Sequence, residues 1–171
     1  MDKAIGEHRL GEDHEKLTLQ GLEDNIVAVD TMASQARRTF DLFTRDLEPR
    51  LYDREPFYQA LRQLAISSRN AEIRILVMDS DRVVKEGHRL INLGRRLSTY
   101  INFRKVAEDY RELPYSFLVA DGRGYLYRSL AIQYEGEADF NNPYRAKELS
   151  REFEEIWQHS QPDPNLRQLH I

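Results

Sequence analysis

The chain has no cysteine among its 171 residues. Disulfides, thiolate metal sites and cysteine nucleophiles are therefore excluded. It has no apolar run long enough to cross a bilayer and opens with no secretory apolar segment. The expectation is a soluble, cytoplasmic protein with no membrane association. No glycine-rich loop precedes a helix: Gly122-Arg123-Gly124 falls inside a hairpin, so phosphate has no loop of that kind to bind. The five histidines (His8, His14, His88, His159 and His170) show no metal-ligand spacing, and no metal or cofactor is expected.

The composition, 40% hydrophobic and 32% charged, is that of a globular domain, and the length suits one domain with a core of its own. The net charge of -4 is unevenly spread. Residues 1–25 hold seven acids against three bases, and the other 146 residues balance at 22 of each. Residues 1–25 are expected to be a mobile acidic segment, residues 26–160 the domain, and residues 161–171 a tail.

Helical periodicity runs through residues 26–38, where Ile26, Val29, Met32, Ala33 and Ala36 share a face. A short strand follows at 40–43. Asp53 can cap the next helix, with Pro56 in its first turn and Phe57, Leu61, Leu64 and Ala65 along one side. Ile73-Arg74-Ile75-Leu76-Val77-Met78 is apolar at nearly every position, as in a strand buried on both faces. A helix at 82–97, capped by Asp79 or Ser80, precedes a strand at 100–103. A hairpin turns at Asp121-Gly122-Arg123-Gly124 between strands 115–121 and 124–128. Asn142 and Pro143 start a last helix, 143–159, with Leu149, Phe153, Ile156 and Trp157 on one stripe. The fold class is α/β: a mixed, mainly parallel sheet with helices on both faces.

Three features could carry function. On the 82–97 helix, Gly87 and Gly94 lie within the apolar side, where close packing on the sheet would offset a cost of roughly 1 kcal/mol each. The opposite side presents Arg82, Lys85, Arg89 and Arg96, a stripe that either meets an anionic partner, nucleic acid included, or is a solvated face. The acidic balance of the chain and the lack of aromatic residues among these bases disfavour nucleic acid. After the hairpin, Arg128, Ser129, Tyr134, Glu135, Asp139, Asn141 and Asn142 form a polar loop on a rigid sheet, a common setting for a ligand site. The same residues are ordinary turn formers. His88, beside the apolar face, is read as a boundary residue.

The element order and the strand Pro114-Tyr115-Ser116-Phe117-Leu118-Val119-Ala120-Asp121-Gly122 resemble one lobe of the phospholipase D superfamily. That family's motif is histidine, any residue, lysine, four residues, aspartate, then glycine and a later Gly-Ser pair. Here the histidine slot holds Pro114, the lysine slot Ser116 and the aspartate slot Asp121. Arg128-Ser129 stands at the Gly-Ser pair. The stretch Tyr52-Asp53-Arg54-Glu55-Pro56-Phe57 is also similar to uncharacterised bacterial proteins, which implies no function.

In the family, histidine attacks phosphorus and lysine holds the phosphate charge, so the resemblance implies a catalytically degenerate lobe. It further implies binding of a small anionic ligand or a protein partner, and, by analogy with other single lobes, a homodimer. The candidate ligand residues are Asp121, Arg128, Ser129, Tyr134 and Asp139, near the strand ends where open α/β sheets form crevices. Two alternatives remain. One is a nucleic-acid contact through the basic stripe. The other is an unrecognised hydrolase or transferase using Asp139, His88 or Tyr134.

Overall fold

Seven strands form one sheet in the computed structural model, which describes residues 3–167. His170 lies outside the described residues. In chain order the elements are β1 (Leu17–Leu19), α1 (Leu22–Gln35), β2 (Thr39–Thr44), α2 (Pro49–Tyr52), α3 (Glu55–Ser67) and β3 (Glu72–Val77). Then follow α4 (Asp81–Glu86), α5 (Arg89–Arg96), β4 (Ile101–Lys105), β5 (Ser116–Ala120), β6 (Gly124–Arg128), β7 (Gly136–Asp139), α6 (Pro143–His159) and α7 (Pro164–Arg167). The spatial order of strands is β1-β7-β6-β5-β2-β3-β4.

Period-two alternation sorts side chains to the two faces of the sheet. Phe40, Leu42, Ile73, Ile75, Leu118 and Ala120 pack into the core that also holds α1, α3 and α5. Phe43, Leu76, Phe117 and Val119 face the other way, against Leu149, Phe153, Ile156 and Trp157 of α6. Helices on both faces explain why β3 is apolar from Ile75 to Val77, with Arg74 paired to Asp41, Glu72 and Glu154 on the α6 side; the α/β class is as expected. The balance of directions is not. Only β2–β3 and β3–β4 are parallel; the other four pairings are antiparallel. Two of the antiparallel pairings come from β1 and β7; the others are the β5–β6 hairpin and the β2–β5 pairing that joins it to the parallel strands.

Within the described residues, the acidic N-terminal stretch packs as a part of the fold. β1 forms the sheet edge on β7, and His8 is buried against the Phe140 ring at 5.6 Å. The first residues of the expected tail also pack: Gln161 bridges to Lys105, and the buried Asp163 carboxylate accepts the Ser80 hydroxyl at 2.6 Å.

The single helix expected at 82–97 is two. Gly87 takes φ +79°, which ends α4, and His88 caps α5. Only Gly94 has the expected close approach: a Cβ there would stand 2.5 Å from the Phe103 ring, whereas at Gly87 it would meet nothing. At α3 the N-cap is Arg54, not Asp53, whose carboxylate instead accepts the Arg89 backbone N–H at 3.1 Å. Asn142 caps α6 as expected, accepting from the Arg145 N–H at 3.1 Å.

Candidate functional site

The β5–β6 hairpin sets the geometry of the residues singled out in the sequence. Ser116 pairs with Arg128 at one end of the ladder, and Ala120 with Gly124 at the other. Asp121 and Gly122 make the turn beyond Ala120, both with positive φ (55° and 65°), closed by the Arg123 N–H on the Ala120 carbonyl at 3.0 Å. This is the geometry of a type I′ turn. Asp121 and Arg128 thus lie at opposite ends of five-residue strands, about 17 Å apart at the usual rise. They share no pocket, which corrects their grouping as one ligand site.

The Asp121 carboxylate accepts the backbone N–H groups of Arg37, Arg38 and Thr39 at 2.8–3.1 Å. These are the donors left over where α1 gives way to β2. The aspartate of the motif-like strand therefore ties a turn to the neighbouring strand.

At the other end the chain buries a cation. Arg128 has no exposed surface and is ion-paired to Glu48, in the loop between β2 and α2. Its guanidinium also donates to Ser116 Oγ at 3.0 Å, to the Gln133 carbonyl at 2.9 Å and to the Ala131 carbonyl at 3.3 Å. The Tyr134 ring lies 5.5 Å from its centre. Among the described residues only Nε lacks a partner. Burial pushes the Glu48 carboxyl up from its ordinary range, and the Arg128 charge opposes that rise. Pro114 stands exposed beside this cluster with its carbonyl accepting the Ala131 N–H at 2.7 Å, and Ser129 is exposed just past the strand. Arg128 is enclosed by its own chain, which removes it from the surface available to a ligand.

His88 closes the same end. It donates from Nε2 to the Leu47 carbonyl at 2.9 Å and accepts the Leu90 N–H at Nδ1 at 3.1 Å, so its neutral tautomer is defined. Burial lowers its pKa. Leu47 is buried with φ +60°, and the histidine holds that strained carbonyl in place. With both ring nitrogens on backbone groups, His88 has none directed at a reacting atom.

Asp139 lies at the far end of the sheet with Asp121. It is fully buried, accepts the Glu15 and Asn141 N–H groups at 3.1 and 3.0 Å, and sits 2.8 Å from His14 Nδ1. It fastens the N-terminal stretch. The structure does not bring Asp139, His88 and Tyr134 together: Tyr134 and His88 belong to the Arg128 end.

The basic stripe is broken by the turn at Gly87. Arg82 pairs with Glu86 and Asp46, and Arg89 with Asp53 and Glu55. Lys85 and Arg96 remain exposed. Two of the four charges are therefore balanced by neighbouring acids. Among the described residues no group of three or more histidine, aspartate or glutamate side chains could hold a metal, and no helix is long and apolar enough to cross a membrane.

A mixed sheet with these crossovers and helices on both faces is the single-lobe fold of the phospholipase D type. The chain is similar to Nuc, a phospholipase D family member from Salmonella typhimurium (TM-score 0.61, 12% identity), over 87% of this chain and 99% of that one. It is similar to NucT from Helicobacter pylori (TM-score 0.62, 10% identity) over 88% and 100%. The archaeal chromatin protein TrmBL2, whose structure shows a novel mode of DNA binding, matches with TM-score 0.64 and 12% identity over 89% of this chain. This chain spans only 55% of TrmBL2. No curated protein matches the sequence. By sequence the chain belongs to the family described as Domain of unknown function (DUF7931), whose model matches residues 22–169.

Sequence reading missed Glu48, the partner on which the buried end depends. No local signal marks it, because it lies 80 residues from Arg128. A lone arginine at a strand end is the only hint, since an arginine is seldom buried without a paired acid.

Proposed function

We propose that this chain is a non-catalytic phospholipase D-like domain that acts by binding a small anionic ligand or a protein partner. The observation that carries this reading is the Glu48–Arg128–Ser116 cluster. At the strand end where the resemblance would put a histidine nucleophile and a lysine, the chain has Pro114 and Ser116, and the space beside them is filled by its own guanidinium. Proline offers no lone pair to attack phosphorus. Ser116 Oγ accepts from Arg128, and His88, the histidine at this end, has both nitrogens on backbone groups. A general base must reach the proton it removes, and no such pair forms here.

The test is hydrolysis of bis-p-nitrophenyl phosphate by the purified chain at micromolar concentration. The expected result is a rate equal to that of the buffer. Turnover proportional to protein and removed by Ser116→Ala would overturn the reading.

A further inference from the structure

The open edge of the sheet carries a second feature, remote from the cluster at Arg128. β4 is the last strand: one side pairs with β3, and on the other the Lys105 N–H meets the Gln161 carbonyl at 2.9 Å. Beside this edge lies a cavity of about 580 Å3, within the range of small-molecule sites. Arg95 and Ser98 line it from the α5 side, Arg104 and Trp157 from the α6 side, and Asn102 and Phe103 from the strand between them.

The arginines differ in what balances them. Arg74, at the inner end, is held by Asp41, Glu72 and Glu154. Arg104 lies 4.4 Å over the Trp157 ring and donates from Nη1 to the Trp157 carbonyl at 2.7 Å. That pins its guanidinium without neutralising it. Among the described residues Arg95 has a buried Nε with no hydrogen-bond partner. Neither Arg95 nor Arg104 forms an ion pair within 4.0 Å among the described residues, although Glu72 also lines the groove and the Arg104 charge helps to hold the Glu154 carboxyl low. Nε itself is closed off from solvent, so the part of Arg95 that can meet an anion is the remainder of its guanidinium, on a half-buried side chain beside the groove.

We propose that this groove binds a small polyvalent oxyanion, a phosphomonoester or diphosphate, between Arg95 and Arg104. Guanidinium forks match the paired oxygens of such groups. Asn102 and Ser98 supply neutral polar contacts at the rim, and Phe103 gives an apolar floor. Trp157 already carries Arg104 on its ring, so the anionic group and not a stacked base is the main determinant. The site names a ligand class for the binding role proposed above, yet stands on its own residues. Phosphodiesterase turnover would overturn that role and leave the groove untouched.

Isothermal titration of the full chain with pyrophosphate and with adenosine monophosphate, at about 50 mM salt, tests it. Low salt favours charge-driven association, so a failure there is decisive. The expected result is saturable binding below millimolar concentration, weakened at least tenfold by Arg95→Gln and by Arg104→Gln. Arg96→Ala, next in sequence but outside the groove, leaves it unchanged. Pyrophosphate binding as tightly as adenosine monophosphate assigns recognition to the phosphate alone; tighter binding of the nucleotide adds a contact to the rest of the molecule. No binding of either anion, or equal binding by both glutamine variants, overturns the proposal. Should Arg104→Gln fail to fold, Arg95→Gln decides alone.

Discussion

Glu48 and Arg128, 80 residues apart in the chain, meet in a buried ion pair that joins the end of β6 to the loop after β2. Each is the condition for burying the other. Removing one partner leaves a desolvated charge, at a typical cost of about 3–5 kcal/mol, whereas replacing both with apolar groups of similar volume is often near neutral. Arg128→Met should therefore lower unfolding free energy by that amount, and Arg128→Met with Glu48→Leu should regain more than half of it. Urea denaturation followed by circular dichroism measures both. A single variant within about 1 kcal/mol of the parent would show the pair to be unimportant.

The same cluster predicts the outcome of placing a histidine at 114 and a lysine at 116. Ser116 accepts from the Arg128 guanidinium at 3.0 Å, so Ser116→Lys sets a second cation against a buried one and adds volume to a packed site. Like charges at close range disfavour each other, and overpacking alone costs typically about 1–3 kcal/mol. Pro114→His with Ser116→Lys is expected to lower the melting temperature and to hydrolyse no bis-p-nitrophenyl phosphate. Turnover in that variant would mean that the cluster leaves room for substrate.

Much of the fold was legible because its signals are local. The Asp-Gly turn, the doubly buried β3 and the amphipathic stripes of α3 and α6 all follow from residues within a few positions of one another. β7 does not. Gly136-Glu137-Ala138-Asp139 has little strand propensity, and its place depends on the strands on either side. Gly136 is needed there because a Cβ would come within 2.7 Å of the Tyr127 carbonyl. The break at Gly87 was hidden because a glycine within an apolar helical stripe reads equally as a packing contact or as a positive-φ stop. The candidate site was least legible. Asp121 and Arg128 are close in sequence, but a hairpin carries them to opposite ends of the sheet. The groove at β4 joins Arg95, Arg104 and Trp157 from three elements, with no pattern in the chain to connect them.

Asp121 tests whether the aspartate that follows β5 is a structural residue. Its carboxylate receives three backbone N–H groups, and its backbone has φ +55°. Asp121→Gly loses the acceptor but sheds the left-handed strain, roughly 1–2 kcal/mol, that an L-residue carries at this φ; Asp121→Ala loses the acceptor and keeps the strain. The expected order of stability is parent, then Gly, then Ala, because three hydrogen bonds to a charged group, each worth about 1.5–3 kcal/mol, outweigh the strain that glycine relieves. Thermal unfolding of the three proteins gives the order. Equal stability of parent and Gly would show that water replaces the carboxylate without loss.

His88 and His8 should give opposite pH dependences. His88 is held below its usual pKa by burial; the Leu47 carbonyl and the Asp53 and Asp46 charges pull upward, and Arg89 pulls down. Its neutral form accepts the Leu90 N–H, which a protonated Nδ1 could not do. The unfolded chain thus binds the proton more readily, so the stability from His88 is present above about pH 6.5 and is lost as pH falls below it. His8 differs: burial acts to lower its pKa, but hydrogen bonds to Glu15, Ala4 and Ile5 raise it on balance. Its contribution is present below about pH 6.5 and is lost as pH rises through the raised value. His88→Asn keeps a cap at α5 and removes the titration, so the stability gap to the parent should be flat above pH 6.5. Below that it should narrow, by at most about 1.4 kcal/mol per pH unit. For His8→Asn the gap should narrow on the alkaline side instead. Urea titrations at half-unit intervals from pH 5 to 8 resolve both slopes, and a His88→Asn gap that widens on acidification would reverse the assignment of its neutral state.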